Sequence, residues 1–370
     1  MANTSGWGPP GWGQGWVPQP PKPGVIPLAP LAVGDILGGG FSALGRNRKP
    51  LLGMAAAIFL SAGLLIGTAF GIAAYVVFDH VRALFDLPPG TEPDSGDTLP
   101  LVGAFAGAWL ASFVIAIVAM ALMNAACLVV VQDAVLGLRP SFGEVWRRSS
   151  TRIPAMLGAQ FLVCLMVAVP FLLLALVPFA MALTSGGDDY AVGVSFAIFF
   201  LGLLVLGPVA LWLYVRYSLA PAAVVFEGQG PAGALRRSAE LVRGAWWRTL
   251  GIQLLVMIIA GTIGYVISIP FTYGGMFSAM AMIPHDPAAS EVVGPAVFAA
   301  VLYLLGMVIS QFISIVLPQL SIGLLYVDRR IRVENLAPTL AEAAGVQPPP
   351  PPYSGQPYPG QPYPGQPYPG

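Results

Sequence analysis

The chain has 370 residues, of which only 9% are charged, whereas about 25% are charged in soluble domains. Hydrophobic residues make up 56% of it, so the composition excludes a soluble globular protein and indicates one embedded in a lipid bilayer. Lys and Arg total 17, as do Asp and Glu, so the zero net charge gives no sign of nucleic-acid binding.

The amino-terminal residues 1–30 are rich in Pro, Gly and Gln, a composition that cannot bury enough apolar surface to fold. We therefore predict a disordered arm over residues 1–30. No signal peptide is expected, because the first apolar run begins only near residue 51 and lacks a cleavage site of small residues.

Long apolar stretches follow, and each exceeds the roughly 20 residues that cross a bilayer. They predict an all-α polytopic membrane protein with six transmembrane helices in three hairpins, each preceded by a basic interfacial helix, in a domain of residues 31–337. The predicted spans cover about residues 51–78, 101–136, 155–183, 191–226, 249–283 and 292–326.

The basic residues are strongly biased to one side of these spans. The connections 79–100, 184–190 and 284–291 contain one basic residue, Arg82, and the other 16 lie on the opposite side. Because cytoplasmic loops collect Lys and Arg, we expect a multi-pass protein of the cytoplasmic membrane with both termini in the cytoplasm.

An internal repeat precedes the hairpins. Residues 143–158 and 233–251 both run from a Gly through Arg-Arg-Ser to a Leu-Gly that opens a span. Residues 34–53 occupy the same place before the first span but lack the Arg-Arg-Ser. On helices over 142–153 and 235–250, apolar and charged residues separate onto opposite faces, which is typical of helices lying on a membrane surface.

Arg beside anionic lipid headgroups is stabilising by about 1 kcal/mol per charge. These helices therefore predict contact with the bilayer and with anionic lipid, although they could also serve only as topology anchors. The candidate headgroup contacts are Arg147, Arg148, Arg152, Arg236, Arg237, Arg243 and Arg248.

The remaining motifs indicate structure rather than chemistry. The Gly-rich segment 34–41 matches no phosphate-binding fingerprint, and residues 42–49 are expected to form a flexible lead. Two glycine ridges predict close helix packing within the chain, with oligomerisation as the alternative. Cys127 and Cys164 are expected to be buried thiols. The ridges comprise Gly63, Gly67 and Gly71, and Gly103 with Gly107.

No catalytic, metal or cofactor site is predicted. His80 and His285 each sit next to an Asp but lack further ligands or a nucleophile, so we interpret them as interfacial polar residues. The polar residues inside the spans are expected to form hydrogen bonds between helices. They are Asn124, Gln132, Gln253, Gln311 and Gln319.

Residues 219–255, with the lead 30–53 and the end 324–336, resemble the glycerophosphoryl diester phosphodiesterase membrane domain family, whose actinobacterial members have a similar Pro/Gly-rich arm. The resemblance covers roughly residues 27–337. In the family's namesake arrangement a soluble phosphodiesterase barrel of about 250 residues follows. Residues 338–370 leave no room for it, so no enzymatic activity is expected.

The leading hypothesis is a non-enzymatic membrane protein that acts as a scaffold or lipid-contacting module. A small permease or export component is the alternative, and a membrane-embedded lipid-modifying enzyme comes third. Residues 338–370, with their GQPYP repeats, are expected to be disordered, and the Pro-rich tails leave a protein partner open.

Overall fold

The computed structural model describes residues 22–85, 95–184, 188–283 and 289–345, and these residues are almost entirely helical, with no strand among them. The helices of this part of the chain are α1 (Val33–Arg46), α2 (Arg48–Val76), α3 (Phe78–Phe85), α4 (Ser95–Val135), α5 (Phe142–Ser150), α6 (Ile153–Thr184), α7 (Asp189–Tyr217), α8 (Ala220–Glu227), α9 (Pro231–Val242), α10 (Trp246–Met282), α11 (Ala289–Glu334) and α12 (Ala337–Ala343).

Six of the helical stretches in the described residues are long and apolar enough to cross a membrane, which confirms the predicted all-α, multi-pass fold. They are α2, α4, α6, α7 with α8, α10 and α11. The last span continues as helix beyond the predicted end at residue 326, to Glu334. Charged residues that the sequence placed after the membrane therefore lie on the same helix as the span.

The spans form three hairpins, α2 with α4, α6 with α7, and α10 with α11. A short amphipathic helix precedes each hairpin but packs on the hairpin before it: α5 contacts α2 and α4, and α9 contacts α6, α7 and α8. The first of these helices, α1, packs on α11 of the last hairpin. If each short helix is taken with the hairpin that it precedes as one unit, the three units therefore close into a ring. We call the end of the bundle that carries α1, α5, α8, α9 and α12 the basic end.

The hydrophobic core lies at the basic end. It takes residues 121–135 from α4 and residues 316–331 from α11, together with α8 and the apolar faces of α1, α5 and α9. Farther into the membrane the hairpins have little contact with one another, and none of the apolar window of α6 is buried. Cys127 is accordingly buried, but Cys164 on α6 is exposed, which corrects the expectation for that thiol.

Residues 42–49, which the sequence predicted to be a flexible lead, are helical apart from Asn47, and the Gly-rich segment 34–41 before them also lies in α1. Gly39 and Gly40 are buried on the face of α1 that packs against α11. A Cβ at Gly39 would come within 2.8 Å of side-chain atoms of Ile26 and Leu324. The glycines allow this close approach, and burial of Ile36 and Ala43 on the same helix offsets their low helix propensity.

The folded part begins before residue 31, the predicted boundary of the arm. Val25 and Ile26 belong to the core, and the backbone N–H of Val25 donates to the carbonyl of Ala134 at 3.1 Å. Gly24 lies so close to the end of α4 that a Cβ there would overlap the carbonyl oxygens of Ala134 and Val135. At the other end the structure continues past residue 337 through α12, where Ala341 is buried.

Two other expectations are corrected. The predicted helix over 235–250 is broken, because Gly244 adopts a φ of +77° and separates α9 from α10. The glycine ridges on α2 and α4 do not pack within the described part of the chain, since a Cβ at any of these positions would meet nothing within 4 Å. They are Gly63, Gly67, Gly71, Gly103 and Gly107.

Candidate functional site

Three carboxylates at the basic end each lie near the end of the second span of a hairpin. The first is Asp133, on the last turn of α4. Arg148 of α5 donates to both of its oxygens, at 2.7 and 2.9 Å, and to Gln132 Oε1 at 2.7 Å. Asp133 is 7% exposed, so this ion pair fastens α5 to the hairpin before it.

Glu227, at the end of α8, is the second carboxylate. Arg237 of α9 donates to its oxygens at 2.9 and 3.0 Å, and the buried hydroxyl of Tyr326 on α11 also donates to it. Partial burial desolvates the Arg237 guanidinium, but its hydrogen bonds to Glu227 and Glu334 outweigh that and raise the pKa of Arg237 above its ordinary value. The ion pair of Arg237 and Glu227 joins the second unit to the third.

Asp328 of α11 is the third carboxylate, and its side chain is fully buried. Arg332 donates to it at 2.9 Å, Arg248 pairs with it, and the backbone N–H of Leu31 donates to it at 2.8 Å. Because α1 lacks the Arg-Arg-Ser of α5 and α9, a backbone amide just before α1 takes the place of the guanidinium that those helices supply. Both arginines also donate to the Leu31 carbonyl at 2.8 Å.

The repeated serines have a structural role at this end. Ser149 and Ser238 follow the paired arginines, and both are completely buried. Ser149 donates to the Val145 carbonyl at 2.6 Å. Ser238 donates to the Arg216 carbonyl at 2.8 Å and accepts from the N–H of Leu219 at 3.1 Å, across the break between α7 and α8. The Arg-Arg-Ser motif thus places one exposed Arg, one paired Arg and one buried Ser on each helix.

The structure divides the candidate headgroup contacts into two classes. Arg148, Arg237 and Arg248 are held by the three carboxylates Asp133, Glu227 and Asp328, so their guanidinium groups serve the fold. The other four lie at the surface of the basic end. Arg147 and Arg243 are exposed, Arg236 is 85% exposed beside Glu240, and half-buried Arg152 lies against Gly228.

A cleft of about 680 Å³ lies at the junction of α1 and α2. It is lined by Arg46, Arg48, Lys49 and, from the loop after α4, Arg139, all of which are exposed. None of these four cations has a carboxylate partner in the part of the chain that the structure describes. These residues were not predicted as headgroup contacts because they lie outside the Arg-Arg-Ser motifs, although the basic run at 46–49 is evident in the sequence.

Two smaller clefts lie at the equivalent junctions of the other units. The one at the α9–α10 junction has a volume of about 550 Å³ and is lined by Trp246, Trp247, Arg248 and Arg332, among others. The one at the α5–α6 junction, about 300 Å³, includes Arg152. Trp247 is 79% exposed, as expected for a residue at a membrane interface. A cleft with basic residues therefore lies at the start of each hairpin, but Glu227 also lines the α5–α6 cleft, and Arg248 and Arg332 are paired with Asp328.

The polar residues inside the spans differ in their hydrogen bonding and in their burial. Gln132 accepts from Arg148, and Gln253 of α10 donates to Ser218 of α7 at 2.6 Å, so both form the expected hydrogen bonds between helices. Asn124 Oδ1 and Gln319 Oε1 are buried but accept no hydrogen bond from the described residues. Gln311 is exposed.

The histidines do not join this site. His80 lies on α3, at the opposite end of the bundle, and His285 falls outside the described residues. Among the residues that the structure describes, no group of three or more His, Cys, Asp or Glu side chains could hold a metal ion.

Comparison with known families gives a single assignment. The model of a family described as a domain of unknown function, DUF7847, matches residues 31–326, which is most of the chain. The chain therefore belongs to the DUF7847 family. No curated protein and no solved structure matches it.

Proposed function

We propose that this member of the DUF7847 family is a non-enzymatic protein of the cytoplasmic membrane that binds anionic lipid headgroups at its basic end and acts there as a lipid-contacting scaffold. The observation that carries the proposal is the α1–α2 cleft, where Arg46, Arg48, Lys49 and Arg139 surround a space without a neutralising carboxylate among the described residues. Phosphate groups suit such a cluster, because guanidinium and ammonium groups bind them with charge-assisted hydrogen bonds.

The bias of basic residues toward this end supports a cytoplasmic orientation for it, since positive charge is retained on the cytoplasmic side during insertion. Both termini would then lie in the cytoplasm, where the Pro-rich segments would meet a cytoplasmic protein partner. The proposal extends to a relationship with the glycerophosphoryl diester phosphodiesterase membrane domain family, which the residue resemblance supports.

Lipid binding by variants of the α1–α2 cleft tests the proposal. Purified protein is titrated with phosphatidylglycerol, and bound lipid is counted by native mass spectrometry. Replacing Arg46 and Arg139 by Gln removes two cations, so binding should weaken about 30-fold at about 1 kcal/mol per charge. Arg82→Gln removes an exposed cation at the opposite end and should have no effect. Unchanged phosphatidylglycerol binding in the double variant would refute the proposal.

The alternatives predict other outcomes. A small permease or export component should move a solute across vesicle membranes, and mutation of the lipid clefts should leave that transport intact. A lipid-modifying enzyme should turn over a lipid substrate. The scaffold proposal predicts that the protein does not hydrolyse glycerophosphodiesters, and turnover that disappears in a His80→Ala variant would favour the enzyme instead.

A further inference from the structure

A second cavity lies where the spans meet α8 of the basic end, and it shares no lining residue with the three basic clefts. It has a volume of about 350 Å³ and is lined by residues of α4, α6, α7, α8 and α11, so all three hairpins contribute to it. Cavities of this size are typical of small-molecule sites. Of its lining residues, Met120 and Tyr214 are 44% and 47% exposed, so the cavity opens onto the lipid-facing surface.

All three hairpins place polar side chains in this cavity, and the second contributes Gln160, Tyr214 and Tyr217 in addition to Ser218. Asn124, Ser218 and Gln319 all line it. Each lies nine residues before the carboxylate of its own unit, at positions 124 and 133, 218 and 227, and 319 and 328. In this polar triad, Asn124 and Gln319 lie about 13 Å along their continuous helices from Asp133 and Asp328, and Ser218 lies at the break between α7 and α8.

Two members of the triad have unused hydrogen-bonding capacity. The Ser218 hydroxyl is satisfied, since it donates to the Val215 carbonyl and accepts from Gln253. Asn124 Oδ1 and Gln319 Oε1, in contrast, are buried acceptors without a donor among the described residues. A buried polar group left unpaired costs about 1–3 kcal/mol, so a ligand group that donates a hydrogen bond there would be stabilised.

The other lining residues indicate the charge and polarity of the rest of the ligand. No Asp, Glu, Lys, Arg or His lines the cavity in the described structure, so nothing there would compensate a charged headgroup drawn into the membrane. Most other lining side chains are apolar, including Ile117, Met156 and Val163. The ligand must therefore be uncharged, carry a hydrogen-bond donor and continue into hydrocarbon.

We infer that this cavity binds the hydroxyl group of a neutral lipid, of which diacylglycerol is the simplest membrane example. The hydroxyl donates to Asn124 or Gln319, and the acyl chains leave through the opening beside Met120 and Tyr214. The inference does not depend on anionic lipid binding at the basic end, because the two sites share no lining residues.

The test uses the full chain in phosphatidylcholine vesicles with a photoactivatable diacylglycerol whose acyl chain carries the reactive group. The double variant Asn124→Leu with Gln319→Leu should be labelled about tenfold less than the wild type, because it loses two acceptors. Gln311→Leu, an exposed position on α11 outside the cavity, is the matched control and should be labelled like the wild type. Equal labelling of the double variant and the wild type would overturn the inference.

A second measurement needs only the wild-type protein. Unlabelled dioleoylglycerol should compete with the probe, whereas its acetylated derivative, which has no hydroxyl donor, should not, and neither should dioleoyl phosphatidylglycerol. The cross-linked peptides should come from α4 or α7, which line the opening through which the acyl chains leave. Competition by the acetylated lipid equal to that of dioleoylglycerol would overturn the inference, even if the double variant failed to fold.

Discussion

Leu31 donates its backbone N–H to the buried carboxylate of Asp328, 297 residues away in the sequence, at 2.8 Å. This contact fastens the segment that enters α1 to the last transmembrane helix, and so closes the ring of three units. Arg248 and Arg332 complete the arrangement by donating to the Leu31 carbonyl. The first and last parts of the membrane domain therefore fold as one unit.

Asp328→Asn should destabilise the protein strongly. The amide keeps the shape of the side chain but removes the negative charge that two guanidinium groups share, and breaking a buried ion pair costs about 3–5 kcal/mol. The loss of stability is measured by a denaturant titration in detergent, from the midpoint of unfolding. Glu240→Gln removes the carboxylate of an exposed pair with Arg236 and should change stability by no more than about 0.5 kcal/mol. Equal stability of the two variants would contradict this account.

The packing of α1 on α11 predicts opposite effects for two adjacent glycines. Gly39→Val forces a branched side chain against Ile26 and Leu324, and overpacking of this kind costs about 1–3 kcal/mol. Gly38→Val should be neutral or slightly stabilising, since a Cβ at Gly38 meets nothing within 4 Å and Val favours helix over Gly. Thermal unfolding midpoints distinguish the two, and a matching loss in both variants would show that close packing at Gly39 is not responsible.

The sequence predicts the transmembrane helices well, because hydropathy over a window of about 20 residues is a local property. It does not predict how α1 is anchored. The Pro-rich composition before residue 31 suggests disorder, yet Val25 and Ile26 are buried by contacts with helices distant in the chain. Burial of a short apolar run depends on a receiving surface, which local composition does not reveal.

The pairing of the arginines was also beyond sequence reasoning. Arg236 and Arg237 are neighbours with the same chemistry, but Arg237 meets Glu227 while Arg236 faces outward. Which of them is paired depends on the angle at which α9 crosses α8. The nine-residue spacing between the polar triad and the carboxylates could have been read from the sequence, and an alignment of the three units would have revealed it.

The proposed cytoplasmic orientation of the basic end predicts which added thiols are accessible from outside the cell. In a Cys127→Ala, Cys164→Ala background, Asp188→Cys should react with a membrane-impermeant maleimide applied to intact cells, because this exposed residue lies at the end opposite the basic end. Gly143→Cys, exposed at the start of α5, should react only after the membrane is opened. The reverse pattern would place the basic end outside.

The two classes of arginine predict different consequences of replacement by Lys, which keeps the charge but loses the planar fork that binds a phosphate through two hydrogen bonds. Arg147, Arg152, Arg236 and Arg243 are not held by the buried carboxylates. If they bind headgroups, their joint replacement should reduce co-purifying anionic lipid while the free energy of unfolding stays within about 0.5 kcal/mol of the wild type. Unchanged lipid content would leave them as topology anchors.

Replacing Arg148, Arg237 and Arg248 by Lys is the matched control, because it keeps the same kind of charge at the buried pairs. Arg248 donates to both Asp328 and the Leu31 carbonyl. Lys has a shorter side chain with a single ammonium group, so it would not bind both acceptors as the guanidinium does. This variant should therefore lose stability rather than lipid specificity. If it instead unfolded like the wild type and lost anionic lipid, these three arginines would have to be headgroup ligands and the ion pairs secondary.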